Sequence, residues 1–279
     1  MSAEPEVSTE QAIAPQVHVA ASLDSAAGLQ RAGKLSEAAT ELESALARAR
    51  ATPYEIEFQT RIRLGMTLAD VYLSLDQIQS ATDMLADEVA FAKKISEIMT
   101  ATGTPDQRRS ATSGYLQVRD RATQLALIGQ TAPDISVKTW LMGGPVTLTD
   151  LRGRVVLLEF WATWCKPCKE MFPKLKQLHE QESSRGLEII AITRHYLAYR
   201  GTEESMAEEL QFMRAMVTDH GVSFAVGVAE DERLQAIYGA NGLPTVVLID
   251  RQGVVRYAGP GGEDWGFDEI LEKCLAESA

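Results

Sequence analysis

Residues 160–168 read Phe160-Trp161-Ala162-Thr163-Trp164-Cys165-Lys166-Pro167-Cys168, and they join two segments of different periodicity. The apolar, β-branched run at 155–160 predicts a fully buried strand, and the apolar spacing over 169–181 predicts a helix. The cysteines therefore fall in the first turn of that helix, where unpaired N–H groups and the helix dipole favour a thiolate over a thiol. A Cys-x-x-Cys pair at this position is typical of redox chemistry, with Cys165 as the exposed nucleophile and Cys168 as the resolving thiol.

The run 159–168 resembles the active-site segment of the thioredoxin superfamily, and Pro173 lies where that family kinks its active-site helix. A second resemblance lies at Asn241-Gly242-Leu243-Pro244-Thr245, which is similar to the family's cis-proline loop. In that family the loop faces the disulfide and offers its backbone to an incoming peptide. The resemblance covers residues 128–279 and implies an α/β thioredoxin-like fold, in which a mixed sheet carries helices on both faces.

The rest of this region resembles the TlpA-like and peroxiredoxin-like (redoxin) branches of the superfamily. Residues 128–153 contain extended segments and a turn at Gly143-Gly144-Pro145, which predict a hairpin before the active-site strand. A helix predicted at 204–220 and a strand predicted at 224–228 lie between the two motifs. Because simple thioredoxins lack the hairpin, the TlpA-like branch is the better match.

Glu159 is a charged residue on an otherwise apolar predicted strand, six positions before Cys165. A buried charge is costly unless it has a task or a partner. The position matches the family's buried carboxylate beneath the disulfide, which is Asp in typical thioredoxins. Burial would raise the pKa of Glu159, so we expect it to take the proton of Cys168 during catalysis. A structural carboxylate paired with Lys169 or another basic residue is the alternative.

The resemblance also implies which residues contact a protein substrate. Trp161 and Trp164 are expected to frame the disulfide, with Trp161 contributing more to packing. The other expected contacts are Lys166, Pro167, Leu243 and Pro244. Lys166 either favours the thiolate of Cys165 or is simply a solvated lysine.

The segment Arg194-His195-Tyr196-Leu197-Ala198-Tyr199-Arg200 follows a predicted strand and is rich in basic and aromatic residues. Such a loop either touches a partner near the disulfide or is a solvated connection.

A structural zinc site is the main alternative for the Cys-x-x-Cys pair, and it requires two further ligands at similar spacing. The third cysteine, Cys274, lies on an apolar helical stripe with Phe267, Ile270 and Leu271, which predicts a buried and inert thiol. We therefore expect no metal and no cofactor other than the redox-active disulfide Cys165–Cys168.

The composition limits the classes of partner. With 279 residues, 45% of them hydrophobic, the chain suggests two ordinary domains. Its net charge of −12 argues against nucleic acid or an anionic membrane surface as the main partner. No apolar run approaches the length needed to span a bilayer, so membrane insertion is not expected.

Residues 1–20 are acidic and without periodicity, which predicts a disordered leader. Residues 21–127 have few glycines and prolines and repeat apolar side chains every three to four positions. This pattern predicts an all-α domain of five or six antiparallel helices, followed by the thioredoxin-like domain at 128–279.

Two of the predicted helix pairs resemble tetratricopeptide repeats, around Gly33-Lys34-Leu35-Ser36-Glu37-Ala38 and around Ala81 and Leu85. The sequence departs from that family, because Ala38 and Ala81 are 43 residues apart instead of about 34 and Glu88 replaces a small residue. A peptide-binding groove and a plain helical docking or dimerisation layer both remain open.

The resemblance implies a thiol-disulfide oxidoreductase. We expect a reductase of protein disulfides, because Lys166-Pro167 and the acid at 159 resemble reducing members of the superfamily. A disulfide oxidase or isomerase is an alternative, since it needs only a less reducing potential. A thiol peroxidase is another, although Thr163 lies two positions before Cys165 and not three, as in its Pro-x-x-x-Thr-x-x-Cys pattern. A protein-binding adaptor that uses the helical domain is an alternative of another class.

The expected partners are a protein disulfide substrate, an upstream thiol donor and a protein bound to the helical domain. TlpA-like relatives mostly act outside the cytoplasm, but residues 1–20 lack the basic start and apolar core of a signal peptide. Both an extracytoplasmic and a cytoplasmic location therefore stay open.

Overall fold

The computed structural model describes residues 15–53, 55–197, 202–261 and 267–277. The chain forms two compact units that divide between Val118 and Arg119. This division lies inside a helix and before the boundary expected after residue 127, because the last turns of that helix bond to the sheet of the second unit.

Five helices precede the sheet in the described part of the chain, as the apolar spacing predicted. They are α1 Pro15–Arg31, α2 Leu35–Ala51, α3 Phe58–Ser74, α4 Ile78–Thr102 and α5 Pro105–Leu127. Most of the expected disordered leader, residues 1–14, lies outside the described residues. Its end, residues 15–20, is helical instead, because Val19 is buried one turn before Leu23 and a proline suits the first turn of a helix.

The first unit contains a buried ion cluster at the position where the sequence departs from the tetratricopeptide pattern. Glu88 is fully buried on α4. Arg61 donates to both of its carboxylate oxygens at 2.7 and 3.1 Å, and Arg50 donates at 3.0 Å. An acidic side chain is tolerated there because two guanidinium groups compensate its charge. Whether the unit is a peptide groove or a docking layer stays a prediction.

The second unit is built on a six-stranded mixed sheet in the order β1-β4-β3-β2-β5-β6. The strands are β1 Val137–Met142, β2 Val155–Phe160, β3 Leu187–Arg194, β4 Ala225–Ala229, β5 Thr245–Ile249 and β6 Val255–Pro260. Strands β2, β3 and β4 are parallel, whereas β1, β5 and β6 are antiparallel to their neighbours. This topology confirms the predicted thioredoxin-like fold.

The expected hairpin before the active-site strand is wrong. Residues 144–147 form no strand, and β1 instead pairs with β4 at the edge of the sheet. The pairing partner lies more than eighty residues further along the chain, as in Val137 opposite Ala229, so local sequence could not reveal it.

Helices cover both faces of the sheet. They are α6 Lys166–Glu182, α7 Glu203–Asp219, α8 Arg233–Tyr238 and α9 Asp268–Ala276, with a 3₁₀ turn at Ser183–Arg185. One face packs against α6, α7 and α9, and the other packs against α8. Cys274 is buried on the first face, as predicted, and burial raises the pKa of its thiol. No helix in the described ranges is long and apolar enough to cross a membrane.

Candidate redox site

The two cysteines form a disulfide at the start of α6. Cys165 is the residue that caps the helix, and its sulfur accepts a hydrogen bond from the backbone N–H of Cys168 at 3.3 Å. Pro167 occupies the first turn, where a missing N–H costs no helical hydrogen bond. An N–H group directed at the first sulfur would also stabilise a thiolate there once the disulfide is reduced.

Cys165 is less exposed than the sequence suggested. In the disulfide form its exposed fraction is 3%, and that of Cys168 is 0%. The reason is that Cys165, the last residue of the turn between β2 and α6, packs in the same apolar cluster as Trp161 and Phe172. The assignment of Cys165 as the attacking thiol and Cys168 as the resolving thiol stays a prediction.

Glu159 is fully buried on β2. Side chains alternate along a strand, so Glu159 shares the face of Leu157 and Trp161, against which α6 packs with Cys168. Within the described residues, neither carboxylate oxygen has a hydrogen-bond partner, so the alternative of a structural pair with Lys169 is not observed. Loss of hydration raises the pKa of Glu159 well above its usual range.

The two tryptophans have different environments. Trp161 is fully buried and meets Phe172 edge-on, with ring centroids 5.2 Å apart. The expectation that Trp161 contacts a partner is therefore wrong, because its whole ring packs in the core. Trp164 is 58% exposed directly before Cys165 and offers an apolar surface beside the disulfide.

The residues between the cysteines face solvent. Pro167 is exposed, and Lys166 is 83% exposed and pairs with Glu170 one turn further along α6 at 3.6 Å. This arrangement favours the interpretation of Lys166 as a solvated lysine, because an exposed i,i+4 pair is only weakly held.

The Pro244 loop, which we define as residues 239–244, lies at the same edge of the sheet as the disulfide. Thr245 at the start of β5 pairs with Phe160 at the end of β2, and the two strands are antiparallel. The residues before β5 and the residues after β2 therefore emerge side by side. The Leu243–Pro244 peptide bond is cis, Leu243 is half-buried and Pro244 is buried.

The segment after β3, which the sequence marked as a possible partner contact near the disulfide, brings Tyr196 to the site. Tyr196 meets the exposed Trp164 edge-on, with ring centroids 5.5 Å apart, and Gln235 donates to its hydroxyl at 2.7 Å. Burial raises the pKa of the Tyr196 hydroxyl, and the neighbouring Arg194 guanidinium partly opposes this shift. Residues 198–200 of the predicted segment are outside the described part.

Glu209 of α7 fixes this segment. Its carboxylate accepts from the backbone N–H groups of Tyr196 and Leu197, each at 3.0 Å, and lies 2.9 Å from Nδ1 of His195. A signal for this role is present in the sequence, because Glu209 occupies the helical stripe of the buried residues Met213 and Val217. A charge on an apolar stripe indicates a buried partner.

No group of three or more His, Cys, Asp or Glu side chains within the described ranges is arranged to hold a metal ion.

Comparison with known proteins places the second unit in a family. The sequence profile of the AhpC/TSA family matches residues 128–258. The thiol-disulfide oxidoreductase ResA of Bacillus thuringiensis (strain Al Hakam) is 35% identical over 128 residues, which are 46% of this chain and 66% of that protein. ResA of Geobacillus thermodenitrificans (strain NG80-2) is 33% identical over 129 residues, which are 46% of this chain and 67% of that protein.

A solved structure is also similar to part of the chain. The chain resembles a thiol:disulfide interchange protein of the thioredoxin family from Chlorobium tepidum TLS, at 25% sequence identity and a TM-score of 0.42, over 52% of this chain and 96% of that one. The match to the first ResA spans 66% of that protein, just under two thirds of its length. Because the Geobacillus ResA is 33% identical over more than two thirds of its length, the chain belongs to the same family as these ResA proteins, and residues 128–258 match the AhpC/TSA profile.

Proposed function

We propose that this protein reduces disulfide bonds of partner proteins by thiol–disulfide exchange through Cys165 and Cys168. The observation that carries the proposal is the Cys165–Cys168 disulfide at the first turn of α6, on the sheet face that also contains the buried Glu159. The ResA relatives, which are named thiol-disulfide oxidoreductases, support it.

The reaction has two exchange steps. The Cys165 thiolate attacks one sulfur of the partner's disulfide, so that a mixed disulfide forms and one partner thiolate leaves. The Cys168 thiolate then attacks the Cys165 sulfur and releases the second partner thiolate. Two electrons move from the dithiol to the partner, and the Cys165–Cys168 disulfide remains.

Glu159 serves the second step in this proposal. A buried carboxylate with a raised pKa is a stronger base than an exposed one, and its proton affinity is closer to that of a thiol. It would accept the proton of Cys168 as that thiol attacks. No bound cofactor is needed, because the dithiol itself carries the two electrons, and an upstream thiol donor would reduce the disulfide for the next cycle.

The proposed contacts for the partner protein are Trp164, Pro167, Leu243 and Pro244, together with the exposed Lys166. The exposed Trp164 and Pro167 and the half-buried Leu243 support this assignment. Tyr196 extends the same surface through its contact with Trp164.

Trapping of the mixed disulfide tests the proposal. The Cys168→Ser variant keeps the attacking thiol but cannot resolve the intermediate, so it should accumulate a covalent complex with insulin, a protein with accessible disulfides. Cys165→Ser is the matched control and should form no such complex. Equal trapping by both variants, or by neither, would contradict the proposed order of attack.

The direction of electron flow is tested by the reduction potential of the pair in graded thiol buffers. We expect a value near or below about −250 mV, which is typical of reductants. A value between about −120 and −180 mV would reverse the proposed direction and favour an oxidase or isomerase. Rapid turnover of hydrogen peroxide would instead favour a thiol peroxidase.

A further inference from the structure

The last turns of α5 place three polar side chains in buried positions next to the Pro244 loop. Asp120, Arg121 and Gln124 are each between 5% and 6% exposed, although such residues normally face solvent. They lie before residue 128, outside the part of the chain that matches the AhpC/TSA family. The match to the family therefore gives these three residues no role in the redox site.

Asp120 binds the backbone of the loop directly. Its Oδ2 accepts from the N–H groups of Asn241 at 3.0 Å and of Gly242 at 3.3 Å. Its Oδ1 accepts from the side-chain amide of Asn241 at 3.0 Å and from Arg119 at 3.2 Å. One carboxylate thus holds the two residues that precede Leu243 and Pro244.

The same helix fixes the chain on both sides of these residues. Gln124 donates to the carbonyl of Gly239 at 2.7 Å, and Arg121 donates to the carbonyl of Ala258 on β6 at 3.1 Å. Gly239 has a φ of +62°, and a side chain there would lie 2.4 Å from the carbonyl oxygen of Asp120. The helix and the loop are therefore in close contact, which only glycine permits at this position.

We propose that Asp120 is a positioning residue that holds the Pro244 loop in the conformation required for capture of a partner protein. Gly242 is exposed and Asn241 is half-exposed, so the loop lies at the surface, whereas the carboxylate that fixes it is buried. Ordering a free loop costs conformational entropy on binding, and a loop that is already ordered avoids that cost. The inference rests on the proposed reduction of protein disulfides.

The Asp120→Ala variant removes the hydrogen bonds from Asn241 and Gly242 to the Asp120 carboxylate and should weaken the binding of protein substrates. We expect kcat/KM for reduction of insulin to fall about tenfold, mainly through KM. Reaction with a small aromatic disulfide should stay within twofold of wild type, because such a substrate does not require the loop. The amide hydrogens of Asn241 and Gly242 should exchange at least tenfold faster, which gives a readout that does not depend on activity.

Asp120→Asn should behave almost as wild type, within threefold for insulin. Its amide oxygen can accept from both backbone N–H groups, and the Asn241 side chain can turn to present its own oxygen. Asp106→Ala, at an exposed position in the first turn of the same helix, is the control and should change neither rate.

A second variant keeps the test informative if Asp120→Ala does not fold. Asn241→Asp, at a half-exposed position, places a carboxylate against Asp120 and should show the same split between insulin and the small disulfide. Unchanged insulin kinetics in a folded Asp120→Ala or Asn241→Asp variant, or equal losses for both substrates, would overturn the inference.

The inference and the proposed function fail in different ways. A wild-type protein that reduces the small disulfide but not insulin would overturn the proposed function and the inference with it. An active wild type whose Asp120→Ala and Asn241→Asp variants reduce insulin equally well would overturn the inference alone.

Discussion

Glu159 is an ionisable residue on a strand whose other five side chains are apolar and buried. Its burial makes ionisation unfavourable, and within the described residues no hydrogen bond compensates for it. Such a residue lowers the stability of the fold, and carboxyl groups with perturbed pKa values are concentrated at functional sites. The stability and the catalytic step should therefore both respond to its removal.

Replacement of Glu159 by Gln should change how stability depends on pH. Because the pKa of Glu159 is raised on folding, the native state retains a proton that the unfolded state loses above its usual pKa of 4.5. Wild type should therefore lose stability as pH rises from about 4.5 to the folded pKa, by up to about 1.4 kcal/mol per pH unit from this group. Glu159→Gln should lack this loss, and urea unfolding of the disulfide form at several pH values would measure the difference.

In Glu159→Gln, Cys168 should also resolve the mixed disulfide between Cys165 and a partner protein more slowly, because the thiol would lack its base. A parallel pH dependence of stability in wild type and Glu159→Gln would contradict a raised pKa. Normal resolution of the mixed disulfide in the variant would contradict the proton-transfer role alone.

At the scale of elements, α7 holds the segment that follows β3 against the active-site turn. Three groups of that segment converge on the Glu209 carboxylate, which is buried. Tyr196 thereby packs against Trp164, and Leu197 is left strongly exposed beside it. The element pair therefore builds one wall of the proposed partner-binding surface.

Replacement of Glu209 by Ala should free residues 195–197 from α7. We expect a loss of about 1–3 kcal/mol in the free energy of unfolding, because two backbone N–H groups and the buried His195 lose a charged acceptor. The amide hydrogens of Tyr196 and Leu197 should exchange faster, and kcat/KM for insulin should fall several-fold. Glu208→Ala on the exposed face of the same helix is the control. Protected amides at 196 and 197 in Glu209→Ala would show that other contacts hold the segment.

At the scale of the whole molecule, the buried ion cluster and the redox site belong to different units of the chain. The Glu88 cluster with Arg50 and Arg61 lies within the first unit, and all residues of the redox site lie within the second. Each unit has its own buried apolar side chains, such as Leu68 and Leu85 in the first and Leu157 and Phe172 in the second. Disturbance of one cluster should therefore leave the other unit's chemistry unchanged.

The Glu88→Ala variant tests this division. Removal of the carboxylate leaves Arg61 buried without its main counter-charge, so we expect the first unit to lose about 3–5 kcal/mol of stability. The reduction potential of Cys165–Cys168 should not change, because no member of the cluster belongs to the second unit. Asp87→Ala, at the exposed neighbouring position, should have little effect on either quantity. A shift in the potential of Glu88→Ala would reveal energetic coupling between the units.

The sequence by itself determined the elements that have strong periodicity. The apolar run of β2, the amphipathic stripe of α6 and the helical spacing of α2 to α5 all predicted the observed elements, because each pattern is local. The Cys-x-x-Cys spacing likewise placed the disulfide at the start of a helix. The burial of Glu159 also followed from sequence, since both faces of a strand with an unbroken apolar pattern are covered by other elements.

Only the tertiary structure decided which distant segments meet. It paired β1 with β4 instead of a neighbouring strand, buried Trp161 against Phe172, and brought Tyr196 to Trp164. It also placed Asp120 on the backbone of Asn241, 121 positions further along the chain. Hydrogen bonds and ring contacts of this kind depend on how helices and strands pack, and packing is a property of the folded chain that no local pattern of residues encodes.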